Sequence, residues 1–300
     1  MSTSTAPSPT LDPSIFNPTL YRQLLSTWFP PSAIDLSGRH LDSAVLRRWF
    51  MGSPEERAQF DGECRSAFGA ALEAIGPEKF KLPEGLSAAE PFLQELEKTI
   101  GDGDNAGGEG EEAAYTALAL TLLLDQIPRN IFRSEEGLRK VYTHYDKISF
   151  EFATALLGPE VNANSPSPIQ RRPDTHPLFA RSAAHRLWFY LPLMHSESLA
   201  AHDRLDALLA SYSQELDDLE ASSSSPEGKE EDEEESLKGS RMFLAGQMKA
   251  EKEHRDILER FGRYPHRNEA LGRQSTVEEE EFLQGVGRGL GLGAARGGEN

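Results

Sequence analysis

Residues 117–133 read ALALTLLLDQIPRNIFR, and this stretch decides the fold class. Its first eight residues are apolar or small on every side of a helical projection, so the helix must be wrapped by others rather than lie on a surface. The run then ends in Asp125-Gln126, and Pro128, Arg129, Asn130 and Arg133 follow. A carboxylate at a helix C-terminus faces the negative end of the helix dipole and needs a cation beside it. Arg129 and Arg133 are the nearest cations, although Pro128 can end the helical spacing before them. Two readings stay open. The group is a structural knot that fixes a helix end, or an arginine points into a pocket and binds an anion.

Helix signals extend in both directions. Ser53-Pro54-Glu55-Glu56 has the N-cap, the proline at the first helical position and the glutamate of a capping box. Phe60, Cys64, Ala67, Phe68, Ala71, Leu72 and Ile75 then recur at helical spacing until Gly76-Pro77. Leu41, Val45 and Trp49 mark a shorter helix before it. Apolar spacing predicts further helices over 111–127 and 137–157, one from about 178 that Pro192 kinks or breaks, a long one ending at Phe261-Gly262, and a short one opened by the capping box Thr276–Glu279. No alternating strand pattern is present. The expected class is all-α, in a single compact domain over 18–284.

The 300 residues carry a net charge of −18. Residues 101–112 hold five acids and no base; residues 220–236 hold eight acids and one base. Without these two stretches the charge is −6, so the acidity belongs to two low-complexity insertions, expected to be disordered. Residues 1–17 and 285–300 are read as a disordered lead-in and tail. The balance argues against nucleic acid as a partner. No apolar run of membrane-spanning length exists, and the first residues lack the features of a secretory signal or transit peptide. The one cysteine, Cys64, cannot form an intramolecular disulfide, so a reducing compartment, the cytoplasm, is expected. Cys64 falls on an apolar helix face, where it serves as a small hydrophobe.

Two further stretches gather chemistry-bearing residues. YLPLMHSES (190–198) sets His195 against the apolar Leu191 and Met194. HRDILERFGRYPHRNEALGR (254–273) is locally basic in an acidic chain: His254 shares a helix face with Ile257, Leu258 and Phe261, and His266 and Arg267 follow Pro265 on a loop. Six of the eight histidines lie between 176 and 266, which raises a metal site built from His195, Glu197, His254 and His266. But His195 and Glu197, two apart, point about 200° apart on a regular helix, and no His-Glu-x-x-His or Cys-x-x-Cys occurs. No metal ligand and no cofactor are assigned. Nucleotide-binding glycine loops and a Gly-x-Ser-x-Gly elbow are likewise missing.

LLLDQIPRNIFR, FYLPLMHSE and HRDILERFGRYPHRNEALGRQSTVEE, with LLSTWF, RRWFMG and FDGECRSAFG upstream, resemble the ordered signature blocks of the domain of unknown function 924 family. The resemblance covers about residues 20–284. It implies an all-helical, tetratricopeptide-like arrangement of antiparallel helix pairs, and no established activity. Asp146 resembles the aspartate that follows the first block. His202 departs from the pattern, where a glutamine is expected; if it lines the pocket, ligand or protonation behaviour changes.

The leading expectation is a polar pocket for a small anionic molecule, serving hydrolysis or group transfer. His195, Glu197, His254 and His266 are the candidate proton-transfer residues; Asp125, Arg129, Arg133, Arg263, Arg267 and Asn268 are the candidate ligand-binding ones. The alternative is a non-catalytic protein-interaction module whose polar blocks are structural. Geometry separates the two: His195 and His266 on opposite faces of the fold exclude the pocket.

Overall fold

The computed structural model describes residues 10–29, 46–82, 87–101, 110–158, 172–222 and 231–285. In chain order the α-helices are α1 (Pro18–Trp28), α2 (Pro54–Ala74), α3 (Glu90–Gly101), α4 (Glu111–Ile131), α5 (Glu135–Lys140), α6 (Asp146–Leu156), α7 (Ala183–Arg186), α8 (Leu191–Met194), α9 (Leu199–Ser222), α10 (Glu231–Phe261) and α11 (Val277–Gly285). Arg47–Met51 and Val141–Tyr145 are π-helical turns, and short 3-10 turns flank α7 and α8. Among the described residues there is no strand.

The all-round apolar run sits where its composition demands. Every residue of α4 from Thr116 to Asp125 is buried, and α1, α2, α3 and α6 pack around it. Leu118, Leu120, Leu122, Leu123 and Leu124 are fully enclosed, each worth roughly 1.5–3 kcal/mol relative to exposure. The Ser53–Glu56 capping box forms as read: the Ser53 N–H donates to Glu56 at 2.7 Å and the Glu56 N–H to Ser53 Oγ at 3.2 Å. The second capping box, Thr276–Glu279, also forms. Gly262, at φ +68°, closes α10, a conformation that a side chain would strain.

Four expectations change. Pro128 does not end its helix. α4 runs to Ile131, and the Phe132 N–H donates to the Pro128 carbonyl at 2.9 Å. In the last turn a missing donor removes a single backbone bond, which dense packing can offset. The helix expected from about 178 is a string of short turns as far as Met194, where the chain wraps the fully buried Arg186, and is one continuous helix only from Leu199. Arg186 donates to Tyr190 Oη at 2.8 Å and to Glu215 at 2.9 Å, and Tyr190 donates to Asp174 at 2.8 Å.

The acidic insertions are also narrower than composition suggests. α9 continues to Ser222 and α10 begins at Glu231, with Ser236 and Leu237 buried; α3 ends at Gly101 and α4 starts at Glu111. Residues 102–109 and 223–230 lie outside the described residues. So do Leu41 and Val45 of the short helix expected near Trp49. At the start of the chain, Leu11 and Phe16 are buried and Asn17 caps α1, so residues 10–17 of the expected lead-in belong to the folded body.

α9 and α10 run antiparallel: His202 meets Glu251 and Asp203 meets Arg255 at one end, while Asp217 and Glu220 meet Arg241 at the other. Between α5 and α6 the π turn inserts one residue, rotating the next helix by about 100°. Tyr145 and His144 therefore turn back to the core, bonding the Leu72 and Ile75 carbonyls. Tyr142 and Asp146 are left facing the junction of α4, α8 and the end of α10, where they meet Arg129 and Arg267.

Candidate functional site

At that junction lies a cleft of about 360 Å³. The last turn of α4 gives it Gln126, Arg129 and, at the rim, Arg133; α8 and its C-cap give Leu191, Met194 and His195; α10 and the loop after it give Gln247, Ala250, His254, Tyr264, His266 and Arg267. Tyr142 comes from the π turn, Trp49 and Phe50 from the turn before α2. The three sequence blocks thus meet around one cavity, and His195 and His266 line it together.

Asp125 anchors the floor, 1% exposed. Its Oδ1 accepts from His195 Nδ1 at 2.8 Å and from Arg129 Nη2 at 3.3 Å; Gln126 donates to its other oxygen. Burial alone would raise this carboxyl, but the Arg129 charge and the hydrogen bonds from His195 and Gln126 overcome it and hold it well below the usual carboxylate range. An ionised Asp125 only accepts, so His195 carries its proton on Nδ1. Its Nε2 has no partner among the described residues. Burial and then Arg129 lower the imidazole pKa against the pull of Asp125, leaving a neutral ring with a bare basic nitrogen.

The other two histidines are also neutral. His254 Nδ1 donates to the Ala250 carbonyl at 2.7 Å, so its Nε2 is an acceptor; burial, only partly opposed by that bond, lowers its pKa to about 4. Burial, then Arg267 and His254, push His266 well below its ordinary value, and its buried Nδ1 has no partner. Arg267 lies between the rings of Tyr142 and Tyr264, 4.6 and 4.9 Å from their centroids. It donates to the His195 carbonyl at 2.8 Å and stands 3.5 Å from Asp146. Arg129 donates to Asp146 at 2.7 Å. The Nε atoms of Arg129 and Arg267 are buried without an acceptor, as are those of Arg48 and Arg255 outside the cleft.

The remaining candidates sit elsewhere. Glu197 faces away from the cleft: it accepts two bonds from Arg273, at 2.9 and 2.7 Å, and the Tyr264 N–H at 2.9 Å. Arg263 pairs with Glu279 at 2.7 and 2.8 Å, and Asn268 donates to Ser275 and Glu279. These residues fasten α11 and the loop after α10 behind the site. Two residues after His195, Glu197 lies on the bend between α8 and α9, and its carboxylate is held on the far side by Arg273. Arg133 reaches the rim, but its fork is engaged by Asp61, which also accepts from Asn130.

His202 does not line the cleft. It is fully buried behind Tyr264, with Nδ1 2.6 Å from Glu251 and Nε2 3.0 Å from the Ser196 carbonyl. The Cys64 thiol, enclosed by α2, is pushed up to about 12, mainly by burial. Among the described residues no three His, Cys, Asp or Glu side chains are placed to hold a metal ion. None of the described helices is long and apolar enough to cross a membrane.

Residues 24–287 match the family described as bacterial protein of unknown function (DUF924). The chain belongs to this family. A solved structure of a protein of unknown function from Agrobacterium tumefaciens is similar to it, with 26% sequence identity over 91% of this chain and 99% of that one, at a TM-score of 0.49. A search of curated proteins finds no match. DUF924 membership accounts for the order of the three blocks and leaves the chemistry to the cleft itself.

Proposed function

We propose that the cleft binds a small anionic molecule and that His195 moves a proton in its hydrolysis or group transfer. The reading is carried by one arrangement: the 2.8 Å bond from His195 to a buried, ionised Asp125, beside Arg129 and Arg267, which line the cleft. A carboxylate behind an imidazole fixes its tautomer and steadies the imidazolium that forms when Nε2 takes a proton. The guanidinium groups supply charge-assisted donors for a carboxylate or phosphate. His254 and His266 add neutral nitrogens that can accept or donate within the site. Among the first-expected residues, this reading keeps Asp125, Arg129, His195, His254, His266 and Arg267 in the site, with Arg133 at its rim. It moves Glu197, Arg263 and Asn268 to the supporting side and adds Tyr142, Asp146 and Tyr264.

A protein-interaction module is favoured by the exposed Phe50, Met51 and Met242. Against it stands the charge chemistry: a buried Asp–His pair and two under-satisfied arginines contribute nothing to a peptide groove, and burying them is unfavourable unless they serve a ligand.

The test is a screen of the purified protein with chromogenic phosphate and carboxylate esters, alongside His195→Ala. Turnover should fall by roughly 10²–10⁴ in the variant, measured at temperatures where the variant stays folded. Turnover equal in wild type and His195→Ala defeats the proton-transfer role. Failure of phosphate and every carboxylate to shift the imidazole signals of His195, His254 and His266 in NMR defeats the anion site.

A further inference from the structure

The cleft has a direction. On α10, Phe243, Gln247, Ala250 and His254 follow one another at steps of four, three and four, which is one face of a helix. At the start of this stripe Phe243 meets the Phe50 ring at 6.3 Å; at its end His254 meets Tyr264 at 5.7 Å. The facing wall repeats the order. Trp188 stacks on Phe50 at 5.8 Å and packs edge-on against Trp49 at 4.9 Å; Leu191 and Met194 follow one and two turns later, and His195 ends the series on Asp125. Both walls therefore grade from aromatic to ionic.

The grading has a length. Seven residues of helix separate Gln247 from His254, about 10 Å at the helical rise. Between them the wall carries only Ala250, whose small side chain leaves the lane open. The aromatic end is also unfinished. Phe50 is held on one side by Trp188 yet is 48% exposed, although it lines the cavity. A half-covered ring at the mouth of a cleft with buried cations at its far end is a pattern of ligand sites.

Resting on the anion-site reading above, the geometry points to one ligand class: a carboxylate or phosphate carried at the end of a flat apolar body about 10 Å long. The anion sits by Arg129 and Arg267, and the body lies along Ala250, Leu191 and Met194 with its far ring on Phe50. A flat body is favoured because the wall at that end is three mutually packed aromatic rings, which bind by stacking and cannot fold round a flexible chain. The cavity of about 360 Å³ is too small for a peptide helix, 10–12 Å across with its side chains.

The full chain would be titrated with three kinds of probe, read by the histidine imidazole signals. Acetate and inorganic phosphate are heads alone, biphenyl-4-carboxylate and biphenyl-4-yl phosphate are heads on a flat body, and decanoate is a head on a flexible chain. A biphenyl anion should bind at least roughly tenfold tighter than its bare head and tighter than decanoate, as burial of a ring requires. The better of the two biphenyl anions identifies the head. Phe50→Ser, at a half-exposed position, should erase the gain and leave the head's affinity unchanged at temperatures where the variant stays folded. If the heads bind and the biphenyl body adds nothing, if Phe50→Ser keeps the gain, or if decanoate equals the biphenyl, this assignment of ligand class is overturned while the anion site stands. If neither the heads nor the biphenyl anions move the histidine signals, the anion site itself falls and this assignment with it.

Discussion

One stretch, residues 254–273, builds both the front of the site and its back, from the same residue types. At the back, Arg263 and Arg273 each grip a carboxylate with two bonds, and Asn268 joins Glu279. At the front, Arg267 is wedged between two tyrosines with an unpartnered Nε, and His266 keeps a bare buried nitrogen. The residue types are the same; where their side chains point is not. Two-pronged ion pairs hold architecture, whereas guanidinium groups that line a cavity are placed to meet an anionic ligand.

That contrast can be broken by substitution. The largest effect is expected from His195→Ala, a fall in turnover of roughly 10²–10⁴ on any substrate the esters screen reveals. Behind the site, Glu197→Ala strips partners from Arg273 and the Tyr264 N–H. It should lower stability by about 2 kcal/mol in urea unfolding, while anion affinity changes little at temperatures where the protein stays folded. Arg267→Gln removes a charge-assisted donor and should weaken anion binding by roughly ten- to a hundredfold; Arg263→Gln should leave it unchanged. Equal loss of affinity in both arginine variants would erase the division between front and back.

The two regions should also separate in pH. His254 is lowered to about 4 in the folded chain, so on acidification the unfolded chain binds this proton first. Stability is therefore lost as pH falls from about 6.5 to 4, and His254→Gln should flatten that part of the curve. Glu279 is held at about 2, first by its bonds from Arg263. Its contribution is complete above about 4.5 and lost as pH falls toward 2, and Glu279→Gln should flatten only this lower limb. Urea midpoints measured at half-unit pH steps resolve the two limbs; a single limb removed by both variants would show the regions to be one unit.

Much of this was legible in the chain. The all-round apolar 117–124 placed α4 at the centre, and the two capping boxes and Gly262 located their helix ends, because these signals act within a turn or two of the residues that carry them. The cleft was legible in part. Asp125, Arg129, His195, His254, His266 and Arg267 stood out as polar groups beside apolar stripes, and they converge. Tyr142 falls within the apolar spacing that predicts the 137–157 helix: the π turn that rotates it into the cleft is tied to the Ile75 and Leu72 carbonyls by His144 and Tyr145, and an inserted residue leaves no mark in composition. Trp49 read only as a mark of a short helix, and Phe50 was not singled out.

The sequence by itself determined the all-helical class, the central helix, the inert buried cysteine and the set of polar residues available for chemistry, since each follows from local spacing and burial preference. Only the tertiary structure decided which of those polar residues share a cavity. Arg263 and Arg267 are four apart on one short stretch, yet one closes on Glu279 and the other on Tyr142, Asp146 and the His195 carbonyl. The choice is made by partners that come from α11, from the π turn and from the C-cap of α8. Long-range pairing of charges depends on distances that no local pattern encodes.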